Sequence, residues 1–182
     1  MGYTTKFTRK IKIDPPLNKQ EREFLIKFSE TRRMNRTKGP YYVDGSGDYG
    51  QAHENDVINH NHPPDGQPGL WCSWIPSGKG DAIKWDGVEK FYKADKWMEY
   101  IINHFIGQNP KAKSELPFLE GHKCNGVIRA YGEESYDRWL LFVSDNVVTT
   151  MDLTKEKFEW IKENNVNLRT QEGLMALKLR FC

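Results

Sequence analysis

The sequence has no long apolar run and very little cysteine. Its longest uninterrupted apolar stretch is the five residues 139–143, far short of the ~20 that a membrane-spanning helix needs. The N-terminal residues contain no apolar signal-peptide core. The three cysteines, Cys72, Cys124 and Cys182, are widely spaced and odd in number, which predicts neither a zinc site nor a disulfide framework. We therefore expect a protein of a reducing cytoplasm, without a membrane segment.

A strong charge imbalance is also absent. Among 182 residues, 27 Lys and Arg face 25 Asp and Glu, giving a net charge of +2. This balance argues against coating of nucleic acid by bulk charge, although it leaves room for a local basic patch. Apolar residues make up only 37%, yet aromatic residues reach 13%. Disordered chains are poor in aromatics, so we expect the rings to build a core, a ligand pocket or both.

Alternation and turn residues predict most of the strands. Residues 3–13 alternate between an apolar face and a wet, basic face that carries Lys6, Lys10 and Lys12, with Arg9 on the apolar side. Residues 70–85 read as a hairpin around a Ser-Gly-Lys-Gly turn. An antiparallel meander is predicted over 125–131, 139–143 and 147–151.

Capping signals predict the helices. Asn18 and Glu21 form a capping-box pattern for a helix that we expect to run to about Arg36. Asp86 and Glu89 form a second such pattern, for a helix over about 88–106. A short helix follows Thr154, and Thr170–Leu179 is a candidate last helix.

These elements predict an α+β fold: an antiparallel sheet of about six strands with two to three helices covering one face. Residues 1–153 would form a single domain, and 154–182 a C-terminal helical extension. Residues 37–69 form a long loop rich in Gly, Pro and His. Loops of this length in compact domains are usually functional or disordered.

The first candidate site is the cationic end of the first predicted helix. The apolar stripe of that helix turns into Arg32, Asn35 and Arg36. Guanidinium groups bind phosphate or carboxylate through paired hydrogen bonds, and nearby rings would stack on a base. The candidate ligand-binding residues are Arg32, Asn35, Arg36, Tyr41, Tyr42, Tyr49, Gln51, Trp71 and Trp74. Alternatively, these arginines favour the helix dipole, or pair with Glu133, Glu134 or Asp137.

Trp71 and Trp74 cannot share one face of a regular strand, so one ring should be in the core and the other available. The Gly-rich segment 44–51 lacks the Gly-Lys-Ser/Thr of a phosphate-binding P-loop, which favours a lid or turn. No cofactor is predicted.

Three histidines in the loop, His53, His60 and His62, are a candidate metal set. The alternative is three solvent-facing side chains in a polar loop. The carboxylates of the 133–137 hairpin end could be acid–base groups, a solvated turn, or counter-charges for Arg9, Arg32 or Arg36. Cys72 and Cys124 have no evident activating base, so a thiol nucleophile is not expected.

Four strings in this order carry a resemblance: residues 1–5, 30–34, 66–74 and 85–91. With them, the chain resembles a family of small uncharacterised cytoplasmic proteins of bacteria and tailed phages, over roughly residues 1–150. The resemblance implies no catalytic residue. If the source is a phage, it implies an accessory protein that acts in the host cytoplasm.

We therefore expect a non-catalytic binding protein for a nucleotide-like or nucleic-acid ligand, which in a phage could act on a host defence or tRNA component. One alternative is a nucleotide or RNA hydrolase that uses the loop histidines. Another is an inhibitor that binds a host enzyme, which an exposed aromatic patch would favour.

Overall fold

A computed structural model describes residues 2–44 and 54–181 of the chain. The strands are β1 (Lys6–Thr8), β2 (Ile11–Asp14), β3 (Asn35–Arg36), β4 (Val57–Asn59), β5 (Trp74–Pro76), β6 (Ala82–Trp85), β7 (Lys123–Tyr131), β8 (Arg138–Ser144) and β9 (Val147–Asp152). The helices are α1 (Lys19–Glu30), α2 (Ala94–Ile101), α3 (Lys155–Glu163) and α4 (Gln171–Phe181). α2 continues into a wider π-helical turn over Ile102–Ile106. None of the helices in these two ranges has the length and apolar character to cross a membrane.

Seven of the strands form one antiparallel sheet in the order β5-β6-β2-β7-β8-β9, with β1 also beside β7. The predicted α+β class, the hairpin and the meander are confirmed. β3 and β4 form a separate two-stranded ladder inside the long loop. At the sheet edge, Ser77 donates its N–H to the Ala82 carbonyl of β6. Because backbone groups alternate in direction along a strand, the preceding residue, Pro76, turns its nitrogen outward.

β1 and β2 act as one interrupted strand. Phe7 lies opposite Ala130 and Ile11 opposite Gly126, which is a single register against β7. The interruption falls at Arg9, whose φ is +73°. The predicted burial of Arg9 was wrong, because this kink turns the side chain outward. Its guanidinium donates to the carbonyls of Leu168 and Arg169 at 3.1 and 3.2 Å, so it joins the C-terminal layer to the sheet.

The main hydrophobic core lies between the sheet and the layer formed by α1 and α2. Phe28 of α1 meets Phe105 edge to face, with ring centroids 4.9 Å apart. Phe7 of β1 contacts Trp74 of β5 in the same way at 5.3 Å. All four rings belong to one buried cluster that joins this layer of helices to the sheet, as predicted.

A second, smaller core lies on the opposite face of the sheet. Successive β7 residues alternate between the two cores, with Val127 in the second and Ile128 in the first. Leu174 and Leu177 of α4 are fully buried against this second face. The prediction of helices on one face was therefore incomplete, because the C-terminal helices cover part of the other.

The predicted end of the first helix and the predicted start of the second helix were both wrong. α1 ends at Glu30, because Thr31 takes an extended conformation and its hydroxyl donates to the Lys27 carbonyl. Arg32, Asn35 and Arg36 therefore lie beyond the helix. α2 begins only at Ala94, and the expected capping box at Asp86 is not formed.

A buried ion pair between Glu21 and His122 fixes the start of α1. Both side chains are fully buried, and His122 Nε2 lies 3.0 Å from Glu21 Oε1. His122 Nδ1 lies 2.7 Å from the Pro15 carbonyl oxygen, which can only accept. Both ring nitrogens therefore donate, and the ring is an imidazolium. The other donors to Glu21 are the backbone N–H groups of Glu120 and Asn18, the latter through the predicted capping box.

Opposing effects set the pKa values of this pair. Burial alone would lower the pKa of His122, but its hydrogen bonds to Glu21 and to the Pro15 carbonyl outweigh burial and raise it. Burial alone would raise the pKa of Glu21, but the hydrogen bonds from His122 and from the Glu120 and Asn18 N–H groups lower it. Both pKa shifts therefore favour the charged form of each partner.

We expect Glu21→Gln to reduce the free energy of unfolding by about 3–5 kcal/mol, because it leaves a buried imidazolium without its counter-charge. The His122 contribution is present below the ordinary histidine pKa of about 6.5 and is lost as pH rises through its raised folded value. The Glu21 contribution is present above about 4.3 and is lost as pH falls through its lowered folded value. Urea denaturation across this pH range measures both effects.

The matched control for this experiment is Glu23→Gln, because Glu23 is exposed and makes a 3.7 Å pair with Lys19 on the surface of α1. We expect this variant to change stability by less than about 1 kcal/mol. Equal losses in the two variants would contradict a structural role for the buried pair.

A second prediction concerns the C-terminal layer. Leu177→Ala should lower the free energy of unfolding by about 2–5 kcal/mol, because it leaves a cavity against the sheet. Leu179, two residues further on, is 81% exposed, and Leu179→Ala should change stability by less than about 0.5 kcal/mol. Similar values for the two variants in denaturant melts would show that α4 is not docked on the sheet.

Candidate ligand-binding groove

A groove of about 1150 Å³ opens on the helical side of the sheet. The C-terminal half of α1 forms one wall, and the irregular segment 86–93 forms the other. Residues 67–71, which lead toward β5, complete the lining. The volume is slightly above the roughly 300–1,000 Å³ that is usual for small-molecule sites.

The lining of the groove is mainly apolar. Phe91 and Trp97 are buried behind it. Four large apolar residues at its rim are unusually exposed: Ile26 (41%), Trp71 (46%), Val88 (59%) and Tyr92 (55%). Apolar side chains that cluster on a surface in this way mark binding sites more often than scattered ones do.

The wall formed by residues 86–93 has a conformation that its sequence does not favour. Gly87, Lys90 and Lys93 all have left-handed φ angles, of +93°, +61° and +53°. Glycine adopts such angles freely, whereas each lysine pays about 1–2 kcal/mol. Strained residues of this kind concentrate at functional sites. The two strained lysines therefore support the interpretation of the groove as a functional site.

Gln67 is a buried polar side chain in the lining, at 6% exposure. Its Nε2 donates to the Pro40 carbonyl at 2.7 Å and to the Tyr100 hydroxyl at 3.1 Å. Among the described residues, its Oε1 has no donor. A buried oxygen without a donor loses hydration, so Gln67 leaves an unsatisfied acceptor behind this part of the groove.

Arg33 lies behind this part of the groove and shares an acceptor with Gln67. Its Nη2 donates to the Pro40 carbonyl at 2.9 Å and to the Tyr42 carbonyl at 2.7 Å. Its guanidinium stacks 4.2 Å above the ring of Phe28. Burial lowers the pKa of Arg33 to about 10, so the group remains charged and gives this end of the groove a positive potential.

Acidic and basic groups are mixed around the mouth. Glu30, Asp86 and Glu89 supply carboxylates, and Lys90 and Lys93 supply ammonium groups. Partial burial raises the pKa of Asp86, although its carboxylate accepts the Val88 N–H at 2.8 Å. The rim therefore has no strong charge of one sign.

The predicted cationic cluster does not reach this groove. Arg36 lies in β3 with its side chain 2% exposed, paired with Glu54 at 2.7 Å and Asp56 at 3.1 Å. Burial would lower the pKa of Arg36, but the hydrogen bonds to these two carboxylates outweigh it and raise the pKa. Asn35 pairs with Asn59 in the β3–β4 ladder. The expected partners at 133–137 were wrong, because Arg36 finds its carboxylates within its own loop.

The loop tyrosines lie in two further places. Tyr41 forms a 2.8 Å hydrogen bond with His104 Nδ1, and its ring packs on the main core. Tyr42 lies against Lys38, whose ammonium is 4.4 Å from the ring centroid, and against Arg36, whose guanidinium is 5.4 Å from it. Tyr49, Gln51 and His53 lie outside the described residues. Among the described residues, Arg36 and Tyr42 therefore lie together, whereas the rings of Tyr41 and Trp71 lie elsewhere.

The two tryptophans separate as their spacing predicted. Trp74 is 1% exposed and its indole N–H donates to the Ala94 carbonyl at 2.8 Å. Trp74 was a candidate ligand-binding residue, and its position in the core removes it. Trp71 instead lies at the rim of the groove.

The residues that the sequence offers for catalysis are the loop histidines and the cysteines. His60 and His62 are exposed, and no group of three metal-ligating side chains occurs within residues 2–44 and 54–181. Burial raises the pKa values of Cys72 and Cys124 to about 12, which keeps both thiols protonated.

The acidic hairpin end holds the N-terminal segment. Glu133 accepts the Thr4 N–H at 2.7 Å, and Asp137 accepts a hydrogen bond from the Tyr3 hydroxyl. The expected pairing of these carboxylates with Arg9, Arg32 or Arg36 was therefore wrong, because they face the residues before β1.

Comparisons with known proteins give one partial similarity. The chain is 34% identical over 67 residues to the chloroplastic phosphoribulokinase of Chlamydomonas reinhardtii, a match that covers 36% of this chain and 18% of that enzyme. No protein-family model matches the chain. No solved structure matches it either.

Sequence reasoning missed Gln67, Val88, Lys90, Tyr92 and Lys93 as lining residues. It placed the last four on a helix, where the apolar stripe assigned Phe91 to the core. One signal in the sequence argued against a helix start at this point. Gly87 directly follows the expected cap, Asp86, and glycine weakens the first turn of a helix.

The strain in the groove wall leads to a third prediction. Lys93→Gly should keep or raise stability by up to about 1 kcal/mol, because the left-handed conformation no longer carries its steric cost. Lys96, three residues later, lies inside α2, and Lys96→Gly should lose about 1 kcal/mol. Equal losses of stability in the two variants, measured by denaturant melts, would contradict a strained conformation at Lys93.

Proposed function

We propose that the protein is a non-catalytic binding protein, and that its groove takes the flat ring of a nucleotide-like small molecule. The observation that carries the proposal is the exposure of Trp71 and Tyr92 at the rim of one apolar groove. Base–aromatic stacking contributes about 1–3 kcal/mol per base, which is sufficient for either ring to orient a base.

The polar groups of the groove narrow the ligand further. Lys90 and Lys93 would contact a phosphate at the mouth, while Glu30, Asp86 and Glu89 would repel additional negative charge. The proposal therefore favours a nucleoside or a monophosphate over a triphosphate.

We infer no enzymatic activity from the partial similarity to phosphoribulokinase, because that match covers only 18% of the enzyme. The sequence contains no Gly-x-x-x-x-Gly-Lys-Ser/Thr motif, and phosphate contact in the groove would depend on lysine side chains instead.

Calorimetry with a panel of nucleobases, nucleosides and mono-, di-, tri- and cyclic nucleotides tests the proposal. At least one purine or pyrimidine ligand should bind, and Trp71→Ala should weaken it about tenfold or more through the loss of stacking. The same samples, incubated with Mg²⁺ or Mn²⁺ and separated by chromatography, report hydrolysis.

The control variant is Tyr136→Ala, because Tyr136 is a 77% exposed ring remote from the groove lining. This variant should bind as the wild type does. Binding that survives Trp71→Ala would contradict the site, and turnover that requires His60 or His62 would replace it with the hydrolase.

A second candidate function is capture of a partner protein. Four exposed apolar side chains, Ile26, Trp71, Val88 and Tyr92, share one open groove, and such a groove also suits an apolar peptide segment. Absence of binding by every nucleotide, with retained binding of a Trp- and Leu-rich peptide library that Trp71→Ala abolishes, would favour this function.

A further inference from the structure

Five cationic side chains share the sheet face that lies opposite the main core. They belong to four neighbouring strands and alternate with buried residues. Lys12 stands between the buried Ile11 and Ile13, and Lys84 is exposed beside the buried Ile83. The full set, which we name the basic face, is Lys6 of β1, Lys12 of β2, Lys84 of β6, and Lys123 and Arg129 of β7.

The strand registers place these residues on one face of the sheet, although the covered Val127 separates Lys123 from Arg129 along β7. Lys12 lies opposite Ala82 of β6 and Asn125 of β7, and Lys6 lies opposite Tyr131. Neighbouring strands are about 4.8 Å apart, and residues on one face recur about every 6.7 Å. Along β7, the patch therefore extends about 27 Å from Lys123 to Tyr131.

The basic face is open to solvent. The C-terminal helices cover this side of the sheet where Val127, Leu140 and Phe142 form the second core. Lys6, Lys12, Lys84 and Lys123 lie outside that covered part, and all four are exposed.

Neutralising partners are scarce on this face. Within the described parts of the chain, none of the ion pairs involves any of the five residues. Two acids stand at one end, with Asp14 opposite Lys123 and Asp145 hydrogen-bonded to Asn125. At the other end, Glu89 and Glu133 line the same cavity as Lys6 and Tyr131. The exposed lysines between these ends are available to an external anion.

We propose that the basic face binds the phosphate backbone of single-stranded nucleic acid. Tyr131 lies at one end of the patch, with the guanidinium groups of Arg129 and Arg138 at 5.4 and 5.3 Å from its ring centroid. A half-buried ring beside cations gives a base a stacking surface, and the row of cations follows the backbone. None of the five cations of the basic face lines the groove.

Two other polyanions fit this face less well. A sheet bordered by helices does not project into the major groove of duplex DNA, as a recognition helix or ribbon does. Peripheral membrane contact uses exposed apolar anchors. Among the described residues, none of the exposed large apolar side chains belongs to β1, β2, β6 or β7.

Fluorescence anisotropy with a labelled oligouridylate of about twelve nucleotides tests the proposal. Binding should weaken between about 50 and 200 mM salt with a slope of about −3.5 in log–log form, if all five cations contact phosphates. Lys12→Glu/Lys84→Glu should weaken binding about tenfold or more at low salt, and should make the slope shallower.

The matched control is Lys19→Glu/Lys96→Glu, which changes the net charge equally on α1 and α2. This variant should bind within about twofold of the wild type, as expected if local contacts and not net charge dominate. Trp71→Ala should also bind RNA normally, so failure of the groove proposal and failure of this one are distinguishable. A urea melt of each variant confirms folding.

Three results would overturn the proposal. One is the absence of oligouridylate binding at low salt. Another is an equal loss in both double variants, which would indicate attraction by overall charge. The third is stronger binding to duplex DNA or to phosphatidylserine vesicles, which would assign the basic face to that other polyanion.

Discussion

The buried pair of Glu21 and His122 is the constraint on which the arrangement of the helical layer depends. An imidazolium with no access to water is stable only while both of its N–H groups meet acceptors. One acceptor is on α1 and the other is the Pro15 carbonyl. The ring therefore fixes the start of α1 relative to the turn that leaves β2 and to the residue just before β7. The opposite end of α1 forms a wall of the groove, so the orientation set at this pair decides where that wall stands.

The sheet separates two surfaces of different chemistry. Strand alternation turns Ile11, Ile13 and Ile83 toward α1 and α2, and turns lysines the other way. The near-zero net charge thus conceals a segregation of charge between the two faces. The groove on the helical side is apolar with a mixed rim, whereas the opposite side is cationic. Two ligands of different character could bind at different places on the protein, because none of the cations of the basic face lines the groove.

Local signals predicted much of the fold, and long-range contacts decided the rest. The box of Asn18 and Glu21 is real because its hydrogen bonds span three residues. The partnership of Glu21 with His122 spans 101 residues, and no spacing rule reveals it. The predicted helix beyond Glu30 failed because a buried Arg33 found carbonyl acceptors at Pro40 and Tyr42. The lining of the groove could be predicted only in part. Trp71 was a candidate because of its spacing from Trp74. Tyr92 was not a candidate, because the apolar pattern around it fitted a helix equally well.

Pro76 on the edge strand β5 has a consequence for association between molecules. An unprotected sheet edge offers alternating N–H and C=O groups to a strand from another copy, the contact from which fibrous aggregates grow. Here the outward position that would carry an N–H is a proline, which has none. A foreign strand laid along β5 would lack that hydrogen bond at the last residue of the strand. Pro76 therefore weakens this edge as a template for a strand from another copy, even though an exposed apolar groove lies beside it.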